Sequence, residues 1–270
     1  MLTFIAFAIT ALICGAHTSL LMLQIVGAQW ASFYRRMLVS YIVLTACTLY
    51  GVLASLILRL VGHHRMSQWA TGRAFKWMMR FTAFVRFEII SGEQYLGTRP
   101  AVIVGNHQTA LDVLLLGTIW PKYCSVTAKK QLKMIPFLGW FMAASGTVFL
   151  DRGNRNSTRS AFVGAAREIA ENKQSVFIFP EGTRSNTSEP TLLEFKKGAF
   201  HLAIQAKVPI VPVVAGCYQG VLSIKEQRFR SGKIPVIGTP RDRFGGRKLT
   251  MKQCSNRFPQ TISTPITLKM

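Results

Sequence analysis

The chain has 270 residues and a formal net charge of +22, from 33 Lys and Arg against 11 Asp and Glu. That length suits one ordinary domain with a membrane segment. Five scattered cysteines without a Cys-x-x-Cys pair argue against a disulfide framework or a zinc site, and His17, His63, His64 and His201 lack metal-site spacing. No metal and no prosthetic group is expected.

From Met1 to Tyr34 there is no charged residue, and after Arg35-Arg36 the stretch from Met37 to Leu58 is again uncharged. Each stretch is long enough for a helix across a hydrocarbon core, which takes about 20 residues. A cleaved signal peptide would carry a basic start and a shorter apolar run. Residues 1–62 are therefore read as a two-helix membrane segment, either fully crossing or folded as a hairpin in one leaflet. The next stretch holds Arg59, Arg65, Arg73, Lys76, Arg80 and Arg86 before any acid appears at Glu88, with Trp69, Phe75, Trp77, Met78, Phe81 and Phe84 interleaved. Basic residues among aromatics predict an interfacial helix on anionic membrane lipid. Nucleic acid is the other usual partner of such charge, but it is not expected beside two membrane helices. The basic cluster favours a cytosolic position for the domain C-terminal to it, while Arg35-Arg36 points the other way.

Strand-like runs then recur at Phe87–Ile90, Ala101–Val104, Tyr123–Val126, Thr147–Leu150, Val176–Phe179 and Ile210–Val214. Helices are predicted between them, most clearly over Ser157–Glu171, capped by Asn156 or Ser157, and over Phe195–Lys207. This alternation predicts an α/β fold with a mostly parallel sheet and flanking helices over residues 63–236. Residues 237–270 have no acid after Asp242 and no helical period, which predicts a basic, disordered or atypical tail.

Two of these strands end in chemistry-bearing loops. Asn106-His107-Gln108-Thr109-Ala110-Leu111-Asp112 follows Ala101–Val104, and Pro180-Glu181-Gly182-Thr183-Arg184 follows Val176–Phe179. On one continuous helix, residues five apart point about 140° away from each other. His107 must therefore lie on the loop and Asp112 in the first turns of a helix starting near Thr109 if the two are to meet. Leu111, Val113, Leu114 and Leu115 would then form the buried side of that helix. A histidine held by a carboxylate is suited to moving a proton near neutral pH. The competing reading is a core histidine beside a favourable helix-start carboxylate. In the second loop, Arg184 offers a planar fork for phosphate and Gly182 a close backbone approach.

In order and spacing these loops resemble the histidine-four-residues-aspartate box and the Glu-Gly-Thr-Arg box of the glycerolipid acyltransferases. Gly146–Arg152 and Val208–Val213 resemble two further boxes, and Ala128-Lys129-Lys130 with Ile135–Trp140 resembles the stretch between the first two. The likeness covers about residues 75–225 and is greatest to the 1-acylglycerol-3-phosphate acyltransferase branch. It implies transfer of a fatty acyl group from acyl-CoA to the sn-2 hydroxyl of lysophosphatidic acid, giving phosphatidic acid in phospholipid synthesis. On that resemblance His107 is the base and Asp112 orients it. Glu181, Gly182, Thr183 and Arg184 bind the glycerol phosphate, with Arg152, Lys196 and Lys197 as further candidates. Backbone N–H groups at the helix start are expected to hold the oxyanion. The resemblance implies an integral membrane protein, of the endoplasmic reticulum in a eukaryote or the inner membrane in a bacterium. Another acceptor, such as glycerol 3-phosphate or a different lysophospholipid, stays open, as does an inactive protein that binds anionic lipid.

Overall fold

In the computed structural model the described residues are 2–25, 27, 29–151, 153–185 and 192–239. Two long helices come first, α1 over Leu2–Ile25 and α2 over Gln29–Leu60. The break between them falls at Gly27, whose φ of 97° suits a residue without a Cβ. It does not fall at Arg35-Arg36, as the charge pattern suggested. Both arginines sit inside α2 because each finds an acceptor. Arg35 Nε donates to Gln24 Oε1 at 2.9 Å, and Arg36 Nη1 donates to the Ala83 carbonyl at 2.8 Å. Among the described residues one helix, Trp30–Leu60, is long and apolar enough to cross a membrane, and the apolar Thr10–Ile25 is shorter.

A third helix, α3 over Ser67–Thr82, packs along α2. Its outer face exposes Trp77, Met78 and Phe81, with Lys76 and Arg80 over the Trp77 ring. That face matches the expected mixture of bases and aromatics. Arg73 does not share it. Its guanidinium turns inward and donates to the carbonyls of Thr118 and Trp120 at 3.0 and 3.3 Å, satisfying acceptors left over at the end of the helix α5, Asp112–Ile119.

The other elements, in chain order, are β1 (Val85–Ser91), α4 (Glu93–Leu96), β2 (Val102–Gly105), β3 (Cys124–Lys129), α6 (Leu138–Ala144) and β4 (Val148–Leu150). After them come α7 (Arg155–Asn172), β5 (Ser175–Ile178), α8 (Gly198–Ala206), β6 (Ile210–Ala215), the hairpin β7 (Leu222–Ser223) and β8 (Arg228–Phe229), and β9 (Gly232–Gly238). The main sheet has the order β1-β9-β6-β2-β5-β3-β4. Strands β6, β2, β5, β3 and β4 run parallel, while β9 pairs antiparallel with β6 and parallel with β1. The fold is thus α/β with a mostly parallel sheet, as expected, with a reversed pair at one edge. β9 draws Ile237 and Gly238 into the sheet, residues whose composition had placed them in the tail. The remainder of that tail, from residue 240, lies outside the described residues.

The sheet is buried on both faces, and the strands show it by alternation. Along β2, Val102 and Val104 pack with Ile169 of α7 and Leu202 of α8, while Ile103 packs with Met79 of α3 and Leu114 and Leu115 of α5. Phe177 of β5 joins the second group, and its neighbours Val176 and Ile178 the first. Burying a side chain of this size stabilises by about 1.5–3 kcal/mol. Two helix starts differ from expectation. Asn154 caps α7, its side chain accepting from Ser157 N at 3.0 Å, so the helix begins before Asn156. α8 begins at Gly198 rather than Phe195, and the backbone N–H of Lys196 before it donates to the Pro180 carbonyl at 2.8 Å.

Candidate active site

Because β2 lies between β5 and β6, the loops leaving the ends of these three strands meet at one edge of the sheet, where open α/β sheets form ligand crevices. His107 sits on the loop after β2, and α5 begins at Asp112, three residues later than the sequence suggested. The two side chains converge: His107 Nδ1 lies 2.6 Å from Asp112 Oδ2. The imidazole keeps 19% of its side-chain surface exposed, and the carboxylate only 3%. Leu111, Leu114 and Leu115 are buried as expected, but Val113 is 41% exposed and faces the crevice.

The aspartate accepts from four donors. Its Oδ2 takes the backbone N–H of Gln108 at 2.9 Å and of Thr109 at 3.2 Å besides His107, and its Oδ1 takes the phenol of Tyr218. The Gln108 and Thr109 N–H groups are thus engaged by the nearby carboxylate. With Nδ1 directed at Asp112, the proton on the imidazole is fixed there and Nε2 is left as the acceptor.

The Glu-Gly-Thr-Arg turn is fastened to the histidine itself. His107 N donates to Glu181 Oε1 at 2.8 Å, and Ser185 N donates to the His107 carbonyl at 2.8 Å. Glu181 Oε2 accepts from Leu193 N at 3.2 Å. Glu181, expected among the substrate-binding residues, is thus 3% exposed with both oxygens turned to backbone. Burial raises its carboxyl above the ordinary glutamate value, opposed by those two N–H groups. Gly182 has φ 70°, and a Cβ there would meet Lys196 Cε at 2.9 Å, so the absent side chain lets Lys196 lie over the turn. Phe179 stacks on the imidazole with ring centroids 4.0 Å apart and 17° between planes.

Gly182, Thr183, Arg184 and Lys196 line a groove of about 1520 Å³ together with His107 and Asp112. Much of the remaining wall is apolar, with Phe75, Leu116, Leu132, Ile135, Phe141 and Met142, while Lys129, Arg159, His201 and Gln205 also line it. Lys197 precedes α8 as its cap residue and is not part of that lining. Arg152 lies outside the described residues. Three further residues shape the site without having been singled out from sequence. Asn106 bonds both the N–H and the carbonyl of Ala215 at 2.9 Å, Gln108 bonds the carbonyls of Ala215 and Gly216, and Tyr218 reaches Asp112. Asn106 and Gln108 fell within the first box, but Tyr218 lies over 100 residues away with no motif around it.

A family model described as Acyltransferase matches residues 86–216, a segment that includes His107, Asp112 and the Glu181–Arg184 turn and ends before Tyr218. The chain is 44% identical over 200 residues to a 1-acyl-sn-glycerol-3-phosphate acyltransferase of Saccharomyces cerevisiae, covering 74% of this chain and 66% of that protein. It thus spans slightly less than two thirds of that relative's length. It is 32% identical over 229 residues to human 1-acyl-sn-glycerol-3-phosphate acyltransferase beta, covering 83% of this chain and 79% of the relative. Its fold resembles the crystal structure of the 1-acyl-sn-glycerophosphate (LPA) acyltransferase PlsC from Thermotoga maritima, with a TM-score of 0.65, 22% identity and coverage of 82% and 89%. A histidine–aspartate pair braced by a Glu-Gly-Thr-Arg turn at the edge of a mostly parallel sheet, in a chain with these relatives, belongs to the 1-acyl-sn-glycerol-3-phosphate acyltransferase family.

Proposed function

We propose that the chain transfers a fatty acyl group from acyl-CoA to the sn-2 hydroxyl of 1-acyl-sn-glycerol 3-phosphate, forming phosphatidic acid for phospholipid synthesis. The observation that carries this reading is one groove with three characters. It has a histidine whose Nδ1 is held by Asp112, cations within the same wall, and a largely apolar lining. His107 takes the proton from the sn-2 hydroxyl as its oxygen attacks the thioester carbonyl, a role typically worth about 10²–10⁴-fold in rate. Asp112 holds the ring and balances the imidazolium that forms. Collapse of the tetrahedral intermediate expels the coenzyme A thiolate, which takes up the proton. Neither an acyl-enzyme nor a prosthetic group is required.

Arg184 and Lys196 are proposed to hold the phosphate, with Thr183 and the open backbone at Gly182 shaping the space around it. Lys197 and Arg152 remain further candidates for the same charge. The apolar wall suits acyl chains. We further propose that the protein is held in a membrane of anionic lipid, that of the endoplasmic reticulum in a eukaryotic cell. The exposed apolar residues of α2, including Leu53, Leu56 and Ile57, would sit in hydrocarbon and the bases of α3 at the headgroups.

The test is acyl transfer by membranes containing the chain, with labelled acyl-CoA and lysophosphatidic acid, glycerol 3-phosphate and lysophosphatidylcholine as parallel acceptors. Turnover confined to lysophosphatidic acid and lost in His107→Ala, with expression and membrane insertion retained, supports the proposal. Preference for another acceptor reassigns the substrate. Substantial transfer by His107→Ala removes the catalytic assignment.

A further inference from the structure

We propose that Tyr218 is a positioning residue that sets the basicity of the His107–Asp112 pair, by donating its phenol proton to the aspartate oxygen remote from the histidine. This rests on the acyl-transfer reading above. Tyr218 is 1% exposed, and its ring packs edge-on against Phe87 with centroids 5.6 Å apart. Its segment is stapled to the histidine loop, where Gln108 and Asn106 bond the backbone of residues 215 and 216 and Gln108 Oε1 accepts from Tyr218 N at 3.4 Å. Thr109 N donates to the phenol oxygen at 3.3 Å. With that acceptor position occupied and the ring fixed, the phenol hydrogen is directed at Asp112 Oδ1.

A hydrogen bond donated to a carboxylate stabilises its charged form and weakens its hold on any other proton. Asp112 therefore attracts the His107 imidazolium less than a carboxylate with a free second oxygen would. Removing the donor strengthens the pull of Asp112 on the imidazolium. The other charged groups around His107 do not replace this effect. Glu181 has both oxygens on backbone N–H groups, and Arg184 and Lys196 are exposed in the groove, where solvent screens them. Burial first, and then the Asp112 charge, hold the proton on Tyr218 well past the ordinary phenol range, so the donor persists across the working pH.

The proposal predicts opposite shifts from opposite changes. Tyr218→Phe removes the donor and is expected to move the acidic limb of kcat/KM up by roughly 0.5–1 pH unit. The high-pH plateau should stay within severalfold of wild type. Replacing Tyr218 with a ring-fluorinated tyrosine strengthens the donor and is expected to move the limb down. A merely structural tyrosine would lower the plateau without moving the limb. An independent readout is the pH dependence of His107 carbethoxylation by diethyl pyrocarbonate, taken as the difference from His107→Ala, which reports the imidazole even if acyl transfer fails. An unmoved midpoint in both variants, or shifts of the same sign, overturns the proposal. If Tyr218→Phe does not fold, the fluorinated protein alone decides by the direction of its shift.

Discussion

The Phe179 ring lies flat on the His107 imidazole, with centroids 4.0 Å apart and 17° between planes, and forms a T-shaped pair with Phe177 at a centroid separation of 4.9 Å. Phe179 is the last residue before the Pro180–Arg184 turn, so a strand-end side chain forms one wall for the His107 imidazole. Asp112 fixes one edge of the imidazole and Phe179 one face, leaving little freedom about the side-chain torsions. Phe179→Ala removes the face contact while both hydrogen bonds to the His107 backbone remain. The expected result is a kcat loss of about tenfold, corresponding to about 1.4 kcal/mol, with the KM for lysophosphatidic acid changed by less than threefold or so. Phe179→Tyr or Leu should recover part of it. A rise in KM with unchanged kcat would place Phe179 against substrate rather than against the base.

Arg184→Lys separates charge from geometry. Lysine keeps the positive charge but loses the fork that engages two phosphate oxygens at once. The expected result is a rise of about fivefold to tenfold in apparent KM for lysophosphatidic acid, with a smaller change for acyl-CoA, measured by varying each substrate at saturation of the other. If the acyl-CoA value rises instead, Arg184 serves the donor.

The legibility of the fold and site in the chain depends on the range of the interactions involved. The central strands β2, β5 and β6 are short apolar runs that are almost wholly buried, so local composition marks them to within a few residues. Helix geometry showed that His107 and Asp112 could meet only with His107 on the loop and Asp112 at the helix start, and the pairing of their side chains depends on that local turn. The reversed β9 was not legible, because Lys233 and Pro235 interrupt its apolar run and its pairing is decided by β1, residues 85–91. The break at Gly27 was hidden because one left-handed glycine outweighs a pair of arginines that find acceptors in Gln24 and Ala83. The roles of Glu181 and Tyr218 depend on backbone groups and partners brought together only by the sheet order.

Glu181 couples stability to pH. Its folded carboxyl is raised above 4.5 because burial outweighs the N–H groups of His107 and Leu193. A raised carboxyl binds its proton more tightly in the folded chain than in the unfolded one. Its contribution to stability is therefore fully present below about 4.5 and is lost as pH rises through the raised value. Glu181→Gln does not titrate. The difference in thermal transition between wild type and this variant, measured in detergent, should decline over that window and become flat above it. A difference that grows with pH would mean that the backbone hydrogen bonds dominate and that the carboxyl is depressed instead.

The position of Asp112 also depends on a helix crossing. α3 and α5 approach through Gly72 and Gly117, and a Cβ on Gly117 would lie 2.3 Å from the Gly72 carbonyl oxygen and 3.0 Å from its carbon. Those are backbone atoms that cannot rotate aside, so Gly117→Ala must push the helices apart. Overpacking of this kind costs about 1–3 kcal/mol. Because α5 starts at Asp112, the same displacement strains the 2.6 Å contact with His107. Gly117→Ala is therefore expected to lower both the thermal transition and kcat. Gly72→Ala should have a milder effect, since its Cβ would meet Trp120 Cε3 at 3.0 Å and Gly117 Cα at 3.2 Å. Gly97→Ala, with nothing within 4 Å of the new atom and a negative φ of −79°, should change neither. The three transitions and turnover numbers, measured side by side, test this order. Equal behaviour of Gly117→Ala and Gly97→Ala would show that the crossing does not constrain the Asp112 carboxylate.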